Sequence, residues 1–440
     1  MKQRLITILK KITREILERQ QPIIIGITGN VGKTTTKNSL VDFLSEFTPV
    51  GSNYENYNTD LGVCLSIIGA TEPGKNPLKW LSIFWKGWLM TINAQPEFPP
   101  VWVLEIGIDT VGDMDFFVQD FLYFDVVVCG FVGETPVHAE NFGGREALIY
   151  EKGKILRGLK DDGLLIINGD DPYIEHLYHK RKNVVTVGFG DNVDVRASDF
   201  YSAIRVEDTQ EQWDAYYTSL IPHGGFKIIH KGSVIPFKLD YLIGKQQVYN
   251  ILPAIALGIS DGINLVDIAS KIHNLKPIKG RMRFMEGIKD SLLIDDSYNA
   301  APAAVFSALK TLAELNIPDI RRIAALGEMK ELGKSSIKTH QLVGQLVAQS
   351  NVDIFVGVGA GMKVAVESYR LVRPEGVSKY FENSNQAADW IKVQIGSNDV
   401  LLVKGSQSSR MERVSSEILA NKRYRSELLP RQSDEWLQKV

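Results

Sequence analysis

Cysteine is nearly missing from this chain: its 440 residues hold two, Cys64 and Cys129. Both lie in apolar runs without metal-ligand spacing, so neither a disulfide framework nor a cysteine-bound zinc is indicated, and a reducing cytoplasm fits. An excess of charge of one sign is missing too. Fifty basic residues stand against 52 acidic ones, a net charge of -2, and they are interleaved, which removes any global electrostatic case for nucleic acid. There is no uninterrupted apolar segment of spanning length. The start, Met1 to Gln21, is basic and amphipathic, with Leu5, Ile6, Ile8, Leu9, Ile12, Ile16 and Leu17 at roughly helical spacing. It reads as neither a signal peptide nor a membrane span. The seven histidines offer no paired spacing of the kind a zinc enzyme requires. Internal repeats and low-complexity segments are lacking as well.

What is present is a globular composition, 44% hydrophobic and 23% charged, long enough for two or three domains. Short β-branched runs at Ile23 to Ile27, Val101 to Glu105, Val126 to Cys129, Leu164 to Ile167 and Val184 to Val187 alternate with helix-length segments. That alternation predicts a mostly parallel sheet covered on both faces. Segments around Tyr201 to Glu207, Ala215 to Leu220 and Phe226 to Phe237 look antiparallel and predict an added flap or small sheet. A helical stretch, Val248 to Ile259, precedes Pro277-Ile278-Lys279-Gly280, a hinge-like boundary. A second α/β unit then starts, with strands expected at Leu292 to Asp295, Arg322 to Leu326, Ile354 to Val358 and Val400 to Val403.

The most informative segment is Gly26-Ile27-Thr28-Gly29-Asn30-Val31-Gly32-Lys33-Thr34-Thr35-Thr36. It follows an apolar strand and opens a helix, an order that presents backbone N–H groups to phosphates, with a lysine for the β/γ oxygens and a hydroxyl for Mg²⁺. Ile27 stands where the strict phosphate-loop pattern has glycine, so the match is a variant. Glu105 ends an apolar strand where the ligand crevice of an open parallel sheet lies. It suits a metal, or a neighbouring helix as a cap. His138 and Glu140 follow the next strand end, and a surface histidine is the plainer reading. Lys152 sits in a helical segment as a solvated charge, or else it faces the metal site, where modification could make it carboxylate-like. Asp295 to Ala300 and Leu402 to Ser406 put polar groups at strand ends, which suits a binding crevice or plain turn chemistry. Leu78 to Met90 holds three of the seven tryptophans and two lysines. An interfacial helix touching lipid or a lipid-linked substrate has this composition, and so has an ordinary packed helix or a protein interface.

Taken in order, these segments resemble the Mur ligase family of ATP-dependent amide-forming enzymes, most of all its D-alanyl-D-alanine-adding branch. The resemblance rests on residues 26–36, Asn56 to Gly62, Glu105-Ile106-Gly107, His138 to Gly143 and Lys152 to Ile155. It continues through Asn168-Gly169-Asp170-Asp171, Gly280-Arg281-Met282, Asp295 to Ala300, Leu326 to Gly333 and Lys404-Gly405-Ser406. Helical spacing sets apart an N-terminal amphipathic helix at 1–21, and the resemblance implies an α/β phosphate-loop central domain at 22–278 and a Rossmann-like C-terminal domain at 279–440. It implies ATP and Mg²⁺, with Gly29, Asn30, Gly32, Lys33 and Thr34 at the phosphates. Thr35, Glu105 and His138 would hold metal, and Lys152, as a carbamylated lysine, would stand beside them. Asn168 and Asp171 would lie near the adenine, Asp296 near the ribose, and Arg281 would reach the γ-phosphate; Asn299 and Lys404 are weaker candidates. The implied catalytic set is Lys33, His138, Lys152 and Arg281.

The chemistry implied is attack of a substrate carboxylate on the γ-phosphorus, then of an amine on the acyl phosphate, in cytoplasmic cell-wall peptide or related polymer synthesis. A folate-type glutamate ligase, a nucleotide-binding subunit needing a partner protein and a degenerate ATP-binding protein are the alternatives. Two departures stand out. Only 25 residues precede Gly26, where the branch usually has a domain that grips a uridine nucleotide. Gln246 stands where the family tends to have histidine.

Overall fold

The computed structural model describes residues 2–54, 57–92, 97–131, 142–174, 181–206, 220–240, 244–315, 317 and 319–438. The first part of the chain runs α1 (Lys2–Gln20), β1 (Ile23–Thr28), α2 (Lys33–Ser45), β2 (Val50–Ser52), α3 (Asp60–Ile68), α4 (Pro77–Ile92), β3 (Val101–Glu105), α5 (Asp113–Val118), β4 (Phe124–Cys129), α6 (Arg145–Gly153), β5 (Leu159–Asn168), β6 (Val184–Gly188), β7 (Val195–Val206), β8 (Leu220–His230), β9 (Ser233–Asp240), α7 (Lys245–Ser260) and α8 (Leu265–His273). Its strands form one sheet in the order β2-β3-β1-β4-β5-β6-β7-β8-β9.

Period-two alternation in the strands sends side chains to opposite faces. In β3, Trp102 and Leu104 join the core beneath α1, α3, α4, α5 and α6, while Val101 and Val103 join the core beneath α2, α7 and α8. Both faces being covered explains why these strands read as continuous apolar runs. α1 is part of this cover, with Ile6, Leu9, Ile16 and Leu17 buried on the sheet side.

The expected antiparallel flap is not a sheet of its own. β7 pairs in parallel with the end of β6, Val187 with Val195 and Gly188 with Arg196, and then antiparallel with β8. The antiparallel hairpins therefore extend the parallel sheet at its open edge, where unpaired backbone groups would otherwise be exposed. Residues 207–219, including most of the expected strand Ala215 to Leu220, lie outside the described residues.

The second part runs β10 (Arg283–Gly287), β11 (Ser291–Asp296), α9 (Pro302–Glu314), β12 (Arg321–Gly327), α10 (Ser336–Gln349), β13 (Ile354–Val358), α11 (Ala360–Val372), β14 (Val377–Phe381), α12 (Ser384–Gln394), β15 (Asp399–Lys404) and α13 (Glu412–Ile418). The sheet order is β10-β11-β15-β12-β13-β14, with only β10 antiparallel. Ala324 and Leu326 of β12 face the core under α9, α10 and α11, whereas Ile323 and Ala325 face α12 and α13. Between the two sheets, Gly280 turns at φ +68, and its carbonyl accepts from the Tyr298 N–H at 3.1 Å. That turn delivers Arg281 to the space between them.

Candidate functional site

Parallel pairing brings the carboxyl ends of β1 and β3 together, with Ile27 opposite Glu105. The chain leaves β1 through Gly29 to Gly32 and enters α2 at Lys33. Gly32 has φ +84, and a Cβ on it would stand 2.2 Å from Asn250 Oδ1 of α7, so only glycine fits this turn. The amides of Asn30 and Val31 donate to the Phe131 carbonyl at 2.9 and 3.3 Å. The helix opening at Lys33 has no side-chain cap, which leaves a positive dipole end facing the cleft.

Glu105 is buried and held from several sides. Thr34 Oγ1 donates to its Oε2 at 2.8 Å, and Asn58 Nδ2 to its Oε1 at 3.0 Å. The Asn53 side-chain amide braces the Glu105 backbone, accepting from its N–H at 2.9 Å and donating to its carbonyl at 3.0 Å. Burial alone pushes the Glu105 carboxyl up, but Lys33, Lys37 and the bonds from Thr34 and Asn58 outweigh it and hold it below the usual carboxylate range. Thr34 is thus the hydroxyl at the carboxylate, not Thr35. Thr35 is buried and faces a narrow hollow lined by Ser39, Gln247 and Ile251. Consecutive helical residues point about 100° apart, so one threonine at most can meet β3.

Lys152, on α6, is buried and donates to the Gly29 carbonyl at 3.1 Å. Burial, and then the charge of Lys33, pushes its amine down to about 7. The reading of Lys152 as a solvated charge is excluded by this burial. Lys33 is lowered as well, by desolvation and by Arg281, against the pull of Glu105 and Asp109.

These groups line a cleft of 910 Å³ between the two sheets. Asn30, Gly32, Lys33, Thr34, Glu105, Asp109 and Lys152 line it from the first part, and Arg281, Tyr298, Asn299, Ser406 and Arg410 from the second. Arg281 stacks 4.3 Å from the Tyr298 ring centroid, and its buried Nε–H has no acceptor among the described residues.

Other expected site residues lie elsewhere. Asp296 is buried away from the cleft lining, accepting from Lys404 Nζ at 2.6 Å and from the Met282 N–H at 3.2 Å. Asn168 lines a hollow of only 20 Å³ behind the phosphate loop, where Gln246 also sits. Asp171 is buried and accepts from the Tyr173 N–H at 3.0 Å. His138 lies outside the described residues. Asn53, Asn58, Asp109, Arg410 and Trp436 had no expected role. Asn58 lies within Asn56 to Gly62, one of the segments that carried the resemblance; Trp436 reaches the cleft only through tertiary folding.

Among the described residues no cluster of three or more His, Cys, Asp or Glu could hold a metal. The residues present still fit Mg²⁺, which is commonly held by one or two carboxylates, substrate phosphates and water. They fit a nucleoside triphosphate as well, since Lys33 and Arg281 bring positive charge to a cleft with a helix opening at its wall.

The Mur ligase middle domain model matches residues 90–258, and the Mur ligase, glutamate ligase domain model matches 280–407. Among curated relatives, the UDP-N-acetylmuramoyl-tripeptide–D-alanyl-D-alanine ligase of Bacillus subtilis is 25% identical over 94% of this chain and 79% of its own length. That of Escherichia coli is 26% identical over 89% and 75%. The structure of MurF ligase from Thermotoga maritima in complex with ADP superposes with a TM-score of 0.73 at 23% identity, covering 96% of this chain and 84% of that one. No described helix is long and apolar enough to cross a membrane. The two domain models span more than half of the chain, and with the cleft they align on one conclusion: the chain belongs to the Mur ligase family, ATP-dependent ligases that form amide bonds.

Proposed function

We propose that this ligase joins a peptide carboxylate of cell-wall type to an amine, with D-alanyl-D-alanine the first amine to test. The observation that carries the reading is the Thr34–Glu105 pair, flanked by Lys33 and Lys152 and faced across the cleft by Arg281. Lys33 and the N-terminus of α2 would hold the ATP phosphates, and Glu105 with Thr34 would hold Mg²⁺. Mg²⁺ there would neutralise charge on the phosphate oxygens. Arg281, whose Nε–H lacks an acceptor among the described residues, would meet the γ-phosphoryl oxygens from the other side. Negative charge grows on these oxygens as the substrate carboxylate attacks phosphorus, so prepositioned cations lower the barrier. ADP leaves, an acyl phosphate remains, and amine attack on its carbonyl carbon gives the amide and releases phosphate. In this proposal the division at residue 278 separates an ATP-holding domain from one that closes over it and excludes water.

Carbamylation of Lys152 belongs to the same proposal. An amine near pKa 7 is in good part neutral at physiological pH and can attack CO₂, forming a C–N bond and releasing a proton. The resulting carboxylate would ease the crowding of cations around Lys33. The folate-type alternative is weaker because the curated relatives above are named D-alanyl-D-alanine ligases.

The test is phosphate release from ATP and Mg²⁺ with a panel of UDP-muramoyl peptides and other acids, crossed with D-alanyl-D-alanine and single amino acids, with products weighed by mass spectrometry. An amide from a muramoyl peptide and D-alanyl-D-alanine supports the reading. Turnover that requires glutamate and a folate instead overturns it.

A further inference from the structure

Among the described residues, α4 is bound to the rest of the protein along one side only. Ile83 and Gly87 are buried there, and α1 comes so close that a Cβ on Gly87 would meet Ile12 Cγ2 at 2.7 Å. Leu78, Leu81, Trp85, Trp88 and Ile92 follow one another at steps of three, four, three and four residues, which places them in a single stripe. All five are exposed, Leu78 at 75%, Trp85 at 60% and Trp88 at 47%, and the two indole rings lie 5.1 Å apart. A continuous apolar stripe of this kind marks an interaction surface.

Charge selects the partner. Lys75, Lys79 and Lys86 flank the stripe against the single acid Glu72, Lys86 Nζ donating to the Gly69 carbonyl at 2.7 Å. α1, packed on α4, exposes Arg4 and Lys11 together with Glu15 and Glu18, and its six basic residues outnumber those two acids. This positive region belongs to a molecule whose net charge is -2. A second copy would set like charge against like. An anionic bilayer supplies the opposite charge, and its headgroup boundary suits tryptophan, apolar in body and polar at the N–H. Since no described helix can span a membrane, the contact is in the plane of the surface.

We propose that α4 docks this ligase on anionic lipid, with Trp85 and Trp88 entering the headgroup boundary and Lys75 and Lys79 against the headgroups. The cleft lies at the carboxyl ends of the strands and α4 in the layer over one sheet face, so docking leaves the cleft open. This inference does not depend on the substrate proposed above.

The experiment is co-sedimentation of the full chain with phosphatidylglycerol–phosphatidylcholine vesicles and with phosphatidylcholine alone, at low and high salt, with tryptophan emission recorded. Binding to the anionic vesicles, weakened by salt and accompanied by a blue shift, is expected. Trp85→Ser with Trp88→Ser should lower the partition coefficient at least tenfold without changing the melting temperature, and Lys75→Glu with Lys79→Glu should remove the preference for anionic lipid. Three results overturn the proposal: no binding to anionic vesicles at low salt, equal binding by the tryptophan variant, or a wild-type dimer that the variant abolishes in the absence of lipid binding.

Discussion

At the scale of single residues, the adjacent hydroxyls of Thr34 and Thr35 make the sharpest test of the cleft. Thr34→Val should lower kcat by about 10–10³-fold and raise the Mg²⁺ needed for half-maximal rate, because it strips one oxygen from beside Glu105. Thr35→Val should leave the Mg²⁺ dependence unchanged, as its side chain lies in a different hollow; steady-state rates over a Mg²⁺ titration separate the two. Lys152→Ala should reduce turnover by about 10² or more, and intact-mass measurement in bicarbonate should find one CO₂ on the wild type, with occupancy rising as pH passes about 7. A chain with no added mass across that range would remove the carbamate. Asp295 allows a prediction on stability. Burial raises its carboxyl to about 6, while hydrogen bonds including that from Ser415 Oγ, at 2.6 Å, oppose the rise. Between an ordinary value near 3.8 and this value of about 6, the native state holds a proton that the unfolded chain has lost. Its contribution to stability therefore falls as pH rises through that window. Denaturant midpoints measured at pH 4 and 7 should fall more steeply for the wild type than for Asp295→Asn.

At the scale of elements, the turn into α2 is where sequence and structure agree for a stated reason. Gly32 was legible as part of a phosphate loop. The Asn250 side chain that forbids a Cβ there lies more than two hundred positions later and left no local signal. Gly32→Ala should cost about 1–3 kcal/mol in backbone strain, seen as a lowered melting temperature, and Asn250→Ala should relieve only the steric part. Strands buried on both faces were legible as apolar runs. β2 has three residues, and β14 is an edge strand with two of its five residues exposed and none buried, so neither carried a pattern strong enough to read. Glu105 could be placed at a strand end from sequence, but its hold by Asn53, Asn58 and Thr34 could not, since those bonds join β3 to the connection between β2 and α3 and to helix α2. Asp296 reads as a crevice carboxylate by position. The structure spends it on Lys404 instead, the residue directly opposite in the parallel register of β11 and β15.

At the scale of the whole molecule, the cleft takes its walls from both sheets, so a nucleotide bound there should stabilise them together. ATP with Mg²⁺ at a hundred times its Kd should add about 2.7 kcal/mol; calorimetry should record a single, higher transition for the wild type. Arg281→Ala should keep most of the stabilisation of the first part while the second melts close to its ligand-free temperature. The cleft lining also runs from Asn30 to Trp436 in sequence, which orders events during synthesis. A ribosome that has released the phosphate loop has hundreds of codons still to translate before Arg281, Arg410 and Trp436 can reach it. Throughout that interval the nascent chain can hold a triphosphate only by its first wall, so it carries no competent site with which to squander ATP. On the proposed function, the complete cleft forms only after Trp436 has been made.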